Sequence, residues 1–334
     1  MTTLADVELT RADDETSLRA WFDVRAASTA HDRPGDPPSS WQGLLTELTR
    51  PWPGRDVERW LARDDGEAIA ALSLSMPNRD NLSSVIVEVD VLPGSRRLGL
   101  GRTLFEYAGD RARISGRTRL IAEVRRGGAG EVLMEVVGAR AALRDQRRRL
   151  PLPPAAPDVL ARLEAAARAA SRDYTLVGWT GRTPDEHVED VARLSGQMTT
   201  DAPFDDLRWE PEAYDADRIR EIDAANAACG RTALVTAARP GADGPLVAFS
   251  MLFHRPDAAW HAGQGDTLVE RAHRGHQLGM RVKLANLARL REYAPQVTAV
   301  DTWNADSNPW MVSINEAMGF RPYDAWTEWE LDLV

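Results

Sequence analysis

Residues 87–104 form the stretch VEVDVLPGSRRLGLGRTL, and their pattern decides the fold. Alternating apolar residues predict a strand that ends at Pro93. The glycine-rich turn that follows predicts the start of a helix, because glycine tolerates the backbone angles that such a turn needs. Backbone N–H groups then converge at the positive end of the helix dipole. The stretch therefore predicts a site for a phosphate or pyrophosphate, although such turns also occur without a ligand.

The spacing of the glycines argues against two common nucleotide-binding loops. A dinucleotide fingerprint requires the pattern G-x-G-x-x-G, and Leu104 stands at the position of the third glycine. A phosphate-binding loop of the G-K-[ST] type does not occur in the chain. The turn therefore needs another explanation than a dinucleotide or nucleoside triphosphate site.

The same pattern occurs twice. Residues 264–282, QGDTLVERAHRGHQLGMRV, repeat the strand, the turn and the helix start. A constant offset over such a length predicts two tandem units with one fold, each of about 160 residues. The offset is 178 residues in every pair of equivalent positions: Gly66 and Gly244, Glu88 and Asp266, Arg96 and Arg274, Gly101 and Gly279, and Glu123 and Asp301.

The composition excludes several classes of protein. The chain has 334 residues and a formal net charge of −10, with 41 Lys and Arg against 51 Asp and Glu. This acidity argues against general nucleic-acid binding, which depends on neutralising phosphates. A single cysteine, Cys229, excludes an internal disulfide and favours a reduced, cytoplasmic protein. No apolar run is long enough to span a membrane, and the polar residues 1–15 do not resemble a secretory signal.

Strands come before and between helices in each unit, which predicts a mixed α/β fold. We expect tandem domains at residues 1–150 and 176–334, each with a mixed central sheet flanked by helices, joined by a linker and a junction helix at residues 151–175. The proline- and arginine-rich segment 140–157 is the best linker candidate, because proline stiffens an extended chain. Its arginines are expected to be solvated.

Two motifs make the chain resemble a known superfamily. The R-x-x-G-x-G pattern of Arg96, Gly99 and Gly101, after a strand, resembles the acetyl-CoA pyrophosphate loop of the GNAT N-acetyltransferases. Residues 301–320, DTWNADSNPWMVSINEAMGF, are similar to the last-helix motif of that superfamily. Because both units carry part of the pattern, the whole chain resembles tandem GNAT proteins with a mycothiol synthase-like arrangement.

The resemblance implies a mechanism. A splayed pair of central strands would hold the pantetheine arm of acetyl-CoA, the cosubstrate, and the turn would hold its pyrophosphate. An amine would attack the thioester directly, with a strand carboxylate as general base and a last-helix tyrosine as general acid. The attacking ammonium must lose a proton and the leaving thiolate must be stabilised, whatever the family.

The first unit keeps the turn but not the last-helix motif. Met134 occupies the tyrosine position of the superfamily, and Gly127 occupies its asparagine position. The resemblance assigns cofactor contacts in this unit to Val91, Arg96, Arg97, Gly99, Gly101 and Arg102.

The second unit keeps the last helix and changes the turn. Gln277 replaces the middle glycine, and Asn315, a poor proton donor, occupies the tyrosine position. The resemblance assigns cofactor contacts in this unit to Leu268, Val269, Arg274, Gly275, His276, Gln277, Leu278, Gly279, Asn304 and Asn308.

We therefore predict an acetyl-CoA-dependent N-acetyltransferase that acts on a primary amine of a small molecule. We expect the second unit to be catalytic, with Asp266 as base, because it keeps Asn308 and a full-length last helix. Two alternatives remain: catalysis in the first unit with Glu88 as base, and a non-catalytic acyl-CoA-binding protein. No metal, nucleic acid or membrane partner is expected. The tandem pair is expected to be a monomer with an internal pseudo-dimer, or a homodimer.

Two further features have two interpretations each. Trp41, Trp52 and Trp60 crowd one segment of the first unit, where we expect core packing or, alternatively, a pocket wall. The acidic loop around residues 201–206 is expected to be solvated, although its charge would also suit a cationic amine.

Overall fold

The computed structural model describes residues 7–333. In this part of the chain nine α-helices flank a single sheet of twelve strands, and the predicted mixed α/β class is confirmed. No helix among residues 7–333 is both long and apolar enough to cross a bilayer. Residues 1–6, the start of the segment compared with a secretory signal, lie outside the described residues.

The strands and helices alternate through both halves of the chain. The strands are β1 (Glu8–Arg11), β2 (Arg55–Asp64), β3 (Glu67–Pro77), β4 (Ser84–Val91), β5 (Arg119–Arg125), β6 (Arg140–Pro151), β7 (Tyr174–Thr180), β8 (Thr232–Pro240), β9 (Ala248–His254), β10 (His261–Val269), β11 (Ala299–Ala305) and β12 (Arg321–Asp332). The helices are α1 (Glu15–Asp32), α2 (Trp41–Thr49), α3 (Leu100–Ile114), α4 (Ala129–Val136), α5 (Pro157–Ala170), α6 (Val188–Asp201), α7 (Ala216–Ala228), α8 (Leu278–Tyr293) and α9 (Pro309–Met318).

The repeat that the sequence predicts is visible in the strands beside each turn. The helices α3 and α8 begin at equivalent positions, Leu100 and Leu278. In the first unit, β4 and β5 pair in parallel over three residues, 84–86 with 119–121, and then diverge. In the second unit, β10 and β11 pair over residues 261–263 and 299–301 and then diverge in the same way. Each pair of diverging strands opens a wedge beside the glycine-rich turn.

The two faces of the first unit's sheet carry different helices. Helices α1 and α2 pack on one face, where Trp21 and Leu61 lie in one buried cluster. On the opposite face, Val85 and Val87 of β4 pack in the cluster that contains α3. Because side chains alternate along a strand, Glu88 projects to the α1 face. An acidic residue of β4 therefore lies beside α1, on the face opposite the α3 core.

The closing strands of the two units are exchanged. The sheet order is β1-β2-β3-β4-β5-β12-β6-β11-β10-β9-β8-β7. The last strand of the chain, β12, thus pairs with β5 of the first unit, and β6 pairs with β11 of the second. Each unit supplies the strand that closes the other's half of the sheet. The domain boundary near residue 150 remains a prediction, and backbone hydrogen bonds cross it on both sides.

The prediction of a solvated linker at residues 140–157 is wrong for its first part. Residues 140–151 form β6 in the middle of the sheet, and Arg147 is only 2% exposed. Its guanidinium donates to Asp36 at 2.6 Å and also to Asp324. Arg149 donates to both carboxylate oxygens of Asp301, at 2.6 and 2.7 Å. The arginine run therefore forms buried ion pairs, because every second side chain of a central strand must enter the interior.

Candidate functional site

A cleft of about 510 Å³ opens in the first unit where β4 and β5 diverge. Its polar end is the turn that leads into α3, and its apolar side is formed by α4. This volume lies within the range of ligand pockets, roughly 300–1,000 Å³. The predicted cofactor residues that line it are Val91, Arg96, Arg97, Gly99, Gly101 and Arg102, so the structure brings all six together.

The turn of the first unit presents backbone donors to this cleft. Gly99 has φ +85° and is the N-cap residue of α3. Because glycine has no side chain, no capping side chain accepts hydrogen bonds from the first N–H groups of the helix. Arg96 does not point freely to the cleft. Its guanidinium donates to both oxygens of Asp32 at 2.8 Å and to the Val91 carbonyl at 2.9 Å. Arg96 therefore fixes the turn, while the helix N-terminus supplies the anion site.

Helix α4 forms the opposite wall in spite of its unusual glycine-rich start. A Cβ on Gly130 would stand 2.7 Å from Cγ1 of Val124, so only glycine lets α4 approach β5 this closely. The cleft side of α4 carries Val132 and Val136, which are 50% and 60% exposed. The glycines at residues 127–130 thus provide no side-chain cap for α4, but they let the helix pack closely against β5. The wall that α4 forms is apolar. Such a wall fits the hydrocarbon and adenine parts of a coenzyme A molecule.

The turn of the second unit has the same backbone path with different residues. Gly275 has φ +87° and Gln277 has φ +53°, so both adopt the left-handed conformation. Arg274 donates to the Val269 carbonyl at 3.2 Å and to Asp201 at 2.7 Å, as Arg96 does in the first unit. His276 packs against the ring of Tyr174, with 5.3 Å between ring centroids. Asp201, from the loop predicted to be solvated, is therefore an ion-pair partner of this turn.

The other predicted residues of the second unit also make contacts within the protein. The side chain of Asn308 caps α9 by accepting from the Met311 N–H. The Asn304 amide oxygen accepts from Asn315, which is fully buried, at 2.6 Å. Leu268 and Leu278 are core residues, Val269 packs against the cluster that contains Leu278, and a Cβ on Gly279 would stand 3.4 Å from Cδ1 of Ile314. These contacts give each of the named residues a structural role within the protein, and their roles in binding a cofactor stay predictions.

Asp266, the favoured base, lies in a bulge of β10 between Gln264 and Thr267. The residue is exposed at the surface. Desolvation of its carboxyl group by the surrounding protein nevertheless raises the pKa of Asp266, and the nearby charge of Glu212 raises it further. Asp266 therefore fits the chemistry of a general base, and its assignment remains a prediction.

Acidic residues on three adjacent strands line up beside the cleft of the first unit. Glu88 lies on β4, Glu123 lies on β5 and in the cleft wall, and Glu328 of β12 is the direct cross-strand partner of Glu123. Glu88 forms an ion pair with Arg25 at 3.1 Å. The row crosses the opening of the wedge on the α1 face.

The environment of Glu123 and Glu328 disfavours the ionisation of these two carboxyl groups. Glu123 keeps exposed surface. Desolvation by the surrounding protein nevertheless raises the pKa of its carboxyl group to about 7, and the charges of Asp145 and Glu88 add to the effect. Burial also raises the pKa of Glu328 to about 8, with Glu123 and Asp145 contributing repulsion. Carboxyl groups with such displaced pKa values, next to a cleft, mark candidate acid–base sites.

The sequence analysis missed Glu123 and Glu328 as site residues. One signal for Glu123 was available, since it is the equivalent of Asp301 in the repeat. The two positions have different surroundings, because burial of Asp301 is offset by hydrogen bonds from Arg149 and His261, which hold its pKa below the usual range. Nothing local in the sequence points to Glu328, which reaches the row only through the strand exchange.

Comparisons with known proteins agree with this geometry. Residues 26–134, which contain the cleft's turn, match the Acetyltransferase (GNAT) family. The whole chain is similar to a tandem GNAT protein from the clavulanic acid biosynthesis pathway, with 28% identity and a TM-score of 0.79. That match covers 98% of this chain and 99% of the other. The chain is therefore similar over its whole length to a tandem GNAT protein, and residues 26–134 match the family model of the GNAT acetyltransferases.

Two more distant structures show the fold alone. A GCN5-related N-acetyltransferase from Sphaerobacter thermophilus is 17% identical with a TM-score of 0.68, and the match covers 99% of this chain and 97% of that one. An N-myristoyltransferase from Saccharomyces cerevisiae, with bound myristoyl-CoA and inhibitors, is 11% identical with a TM-score of 0.62. The match covers 99% of this chain and 81% of that one. The fold by itself thus does not fix the acyl group. Among proteins with curated descriptions, none matches the chain significantly.

Proposed function

We propose that the protein is an N-acetyltransferase that binds acetyl-CoA in the cleft of the first unit and transfers the acetyl group to a primary amine of a small molecule. The observation that carries this proposal is the cleft itself, which is lined both by a helix N-terminus and by Glu123, a member of the row of carboxyl groups. The uncapped N–H groups of α3 suit a pyrophosphate, and the apolar wall of α4 suits the rest of the coenzyme. The proposal places catalysis in the first unit, which the sequence left open as an alternative to catalysis in the second unit.

Glu123 is the proposed general base. A base works best when its pKa lies near the working pH, and the pKa of Glu123 is about 7. Glu88 is less suited, because its carboxylate is already engaged by Arg25 at 3.1 Å. In the reaction, Glu123 takes one proton from the ammonium, and the neutral amine nitrogen forms a bond to the thioester carbon. As the C–S bond breaks, the nitrogen loses its second proton, which passes through water to the thiolate of coenzyme A and gives the amide and the free thiol. Glu123 then releases its proton to solvent.

The first prediction tests the base directly. Purified protein is incubated with acetyl-CoA and a broad panel of amines, and release of the coenzyme A thiol is measured. We expect Glu123→Gln to lower kcat by about 10²–10⁴-fold, the usual contribution of general base catalysis. We also expect kcat/KM of the unchanged protein to rise with pH through about 7, because the base must be deprotonated to act. Asp266→Asn is the matched control, since it removes the equivalent strand carboxyl in the second unit.

The other outcomes have defined meanings. Loss of activity in Asp266→Asn with full activity in Glu123→Gln would move catalysis to the second unit, as the sequence predicted. Binding of acetyl-CoA without turnover on any amine would favour the non-catalytic acyl-CoA-binding protein. That alternative draws support from Met134 and Asn315, which fill the two tyrosine positions and are both buried. Calorimetry gives the number of acetyl-CoA molecules per chain, and a value of zero would reject both acyl-CoA proposals.

A further inference from the structure

A second cavity, of about 400 Å³, lies on the α1 face of the first unit. It is bounded by α1, α2, β2 and β3, and also by the segment after α7 and the segment after β9 of the second unit. Trp52 stands in its wall, which confirms the pocket alternative for that tryptophan. Six arginines line the cavity, namely Arg25, Arg50, Arg55, Arg59, Arg231 and Arg255, and Glu47 and Glu88 are its acidic residues. A cationic cavity therefore exists in a chain whose net charge is −10.

The positive charge of this cavity is not balanced by its own carboxylates. Glu47 is shared by two guanidinium groups, at 3.5 Å from Arg59 and 3.7 Å from Arg55. Arg59 is only 8% exposed, and its Nε atom is buried without a hydrogen-bond acceptor among the described residues. Burial lowers the pKa of Arg59, although Glu47 opposes the effect, and the neighbouring charges of Arg25 and Arg55 lower it further. Because arginine stays protonated in proteins, the site is short of an anion.

The second unit adds charge to the same cavity. Arg231 is stacked between the rings of Trp52 and Phe253, at 4.9 and 4.5 Å from their centroids. Its Nε donates to a neutral partner, the amide oxygen of Asn226, at 2.6 Å. Within residues 7–333 no carboxylate forms an ion pair with Arg231, and the stacking holds its guanidinium in position. A rigid guanidinium with free donors is the usual receptor for a carboxylate or phosphate.

The cavity is connected to the acyl-CoA cleft through one side chain. Arg25 contacts Glu88, which lines the cavity, at 3.1 Å, and Asp90, which lines the cleft, at 3.0 Å. Glu88 thus belongs both to the row of carboxyl groups and to the lining of the cavity, so a molecule bound there would lie next to that row.

We infer that the acceptor is a small amine that also carries an anionic group, a carboxylate or a phosphate, which the arginines of this cavity bind while the amine is presented to the acetyl group. The inference rests on the proposed function and adds the substrate class. It also gives the second unit a role in the first unit's site, since Arg231 and Arg255 form part of the receptor. The acidic net charge of the chain therefore does not predict the charge of the substrate.

The test compares matched acceptors. Linear amino acids of increasing chain length, with the amine and carboxylate at opposite ends, are each assayed against the corresponding primary amide, and aminoalkyl phosphates form a separate arm. We expect kcat/KM to be about tenfold or more higher for the anion than for the amide at the preferred length, the usual effect of a charged hydrogen-bonded pair. The carboxylate and phosphate arms then identify which anion is bound.

Variants assign the preference to the cavity. Arg59→Met and Arg231→Met should reduce the ratio of anion to amide kcat/KM towards one and leave acetyl-CoA affinity, measured by calorimetry, unchanged. Because Arg59 is buried, Arg50→Met serves as a second variant at an exposed position of the same cavity. Arg113→Met is the matched control, since that arginine lies on the exposed side of α3 and pairs with Asp110.

Failure of this inference is distinct from failure of the proposed function. Turnover on amines with equal or better kcat/KM for the amides would overturn the anionic acceptor and leave the acetyltransferase intact. If no amine is turned over, calorimetric titration of the same acids and amides into the protein decides the point. Equal affinity for both would overturn the inference, and a preference for the acids that is lost in Arg231→Met would support it.

Discussion

Lys283 is the only lysine of the chain, and it is buried in α8 at 1% exposure. Its Nζ atom has no hydrogen-bond partner among the described residues and lies 5.6 Å from the ring centroid of Phe320. The equivalent position of the first unit holds Phe105, an ordinary core residue. Burial lowers the pKa of Lys283 from 10.5 to about 7. A single side chain thus makes the core of the second unit sensitive to pH.

Replacing this lysine should stabilise the protein, most strongly at low pH. The unfolded chain holds the Lys283 proton up to about pH 10.5, whereas the folded chain releases it near pH 7. Stability from this group is therefore present above pH 10.5 and is lost as the pH falls towards 7. We expect Lys283→Met to raise the free energy of unfolding by several kcal/mol at pH 6, since one pKa unit corresponds to about 1.4 kcal/mol. Urea unfolding at a series of pH values measures the difference.

The control for this prediction is Phe105→Met, the same product residue at the equivalent position, which should show no such pH dependence. A difference between Lys283→Met and the unchanged protein that stays constant from pH 6 to pH 10 would contradict the assigned shift.

At the scale of single elements, the two turns follow the same backbone path, but glycine occupies a different position in each turn. In the first turn Arg97 has φ +66° and Gly99 has φ +85°, and in the second Gly275 has φ +87° and Gln277 has φ +53°. Each turn therefore has one glycine and one strained residue at its two left-handed positions, in opposite order. A residue other than glycine costs roughly 1 kcal/mol or more in this conformation. Both turns keep that strain in front of the helix that would receive an anion.

Substitution of the strained residue should relieve this cost. We expect Gln277→Gly to raise the free energy of unfolding by about 1 kcal/mol, because glycine adopts φ +53° without strain. The reciprocal change, Gly99→Gln, should destabilise the protein by a similar amount. Chemical denaturation of both variants is the measurement. Destabilisation by Gln277→Gly would mean that the Gln277 side chain makes a contact stronger than the strain.

At the scale of the molecule, the exchanged strands bind the two units into one sheet. Asp301 of β11 is fully buried, and its carboxylate accepts from Arg149 of β6 and from His261 of β10. The ion pair therefore joins a strand of the first unit to two strands of the second. Since β12 in turn lies between β5 and β6, neither unit has a complete sheet without the other.

Breaking this ion pair should weaken both units together. Arg149→Met leaves the buried Asp301 with two ion-pair partners, His261 at 3.1 Å and Arg147 at 3.7 Å. We therefore expect a loss of roughly 1.5–3 kcal/mol, the range for a hydrogen bond to a charged group. Hydrogen exchange should show faster exchange at β3 and β9 alike, because the sheet unfolds as one unit. Arg149→Met combined with Asp301→Asn should recover part of the stability. Increased exchange confined to the second unit would show instead that the units unfold independently.

Local sequence patterns predicted the elements near the turns correctly. The spacing of Arg96, Gly99 and Gly101 placed the strand, the turn and the start of α3, and the constant offset placed α8 at Leu278. These predictions succeeded because glycine conformation and alternating hydrophobicity act over a few neighbouring residues. The proline- and arginine-rich segment failed for the opposite reason. Its composition suits a solvated linker, and only the carboxylates of Asp36, Asp301 and Asp324 make Arg147 and Arg149 suitable for an interior strand.

The sequence by itself determined that the chain contains two copies of one α/β unit and that each copy has an anion-binding type of turn. The tertiary structure decided which strands close each half of the sheet, and with them the composition of the candidate site. Glu328 stands beside Glu123, and Arg231 stands beside Trp52, through contacts between distant parts of the chain. Backbone hydrogen bonds are chemically the same for every strand, so the choice of partner depends on how whole elements pack.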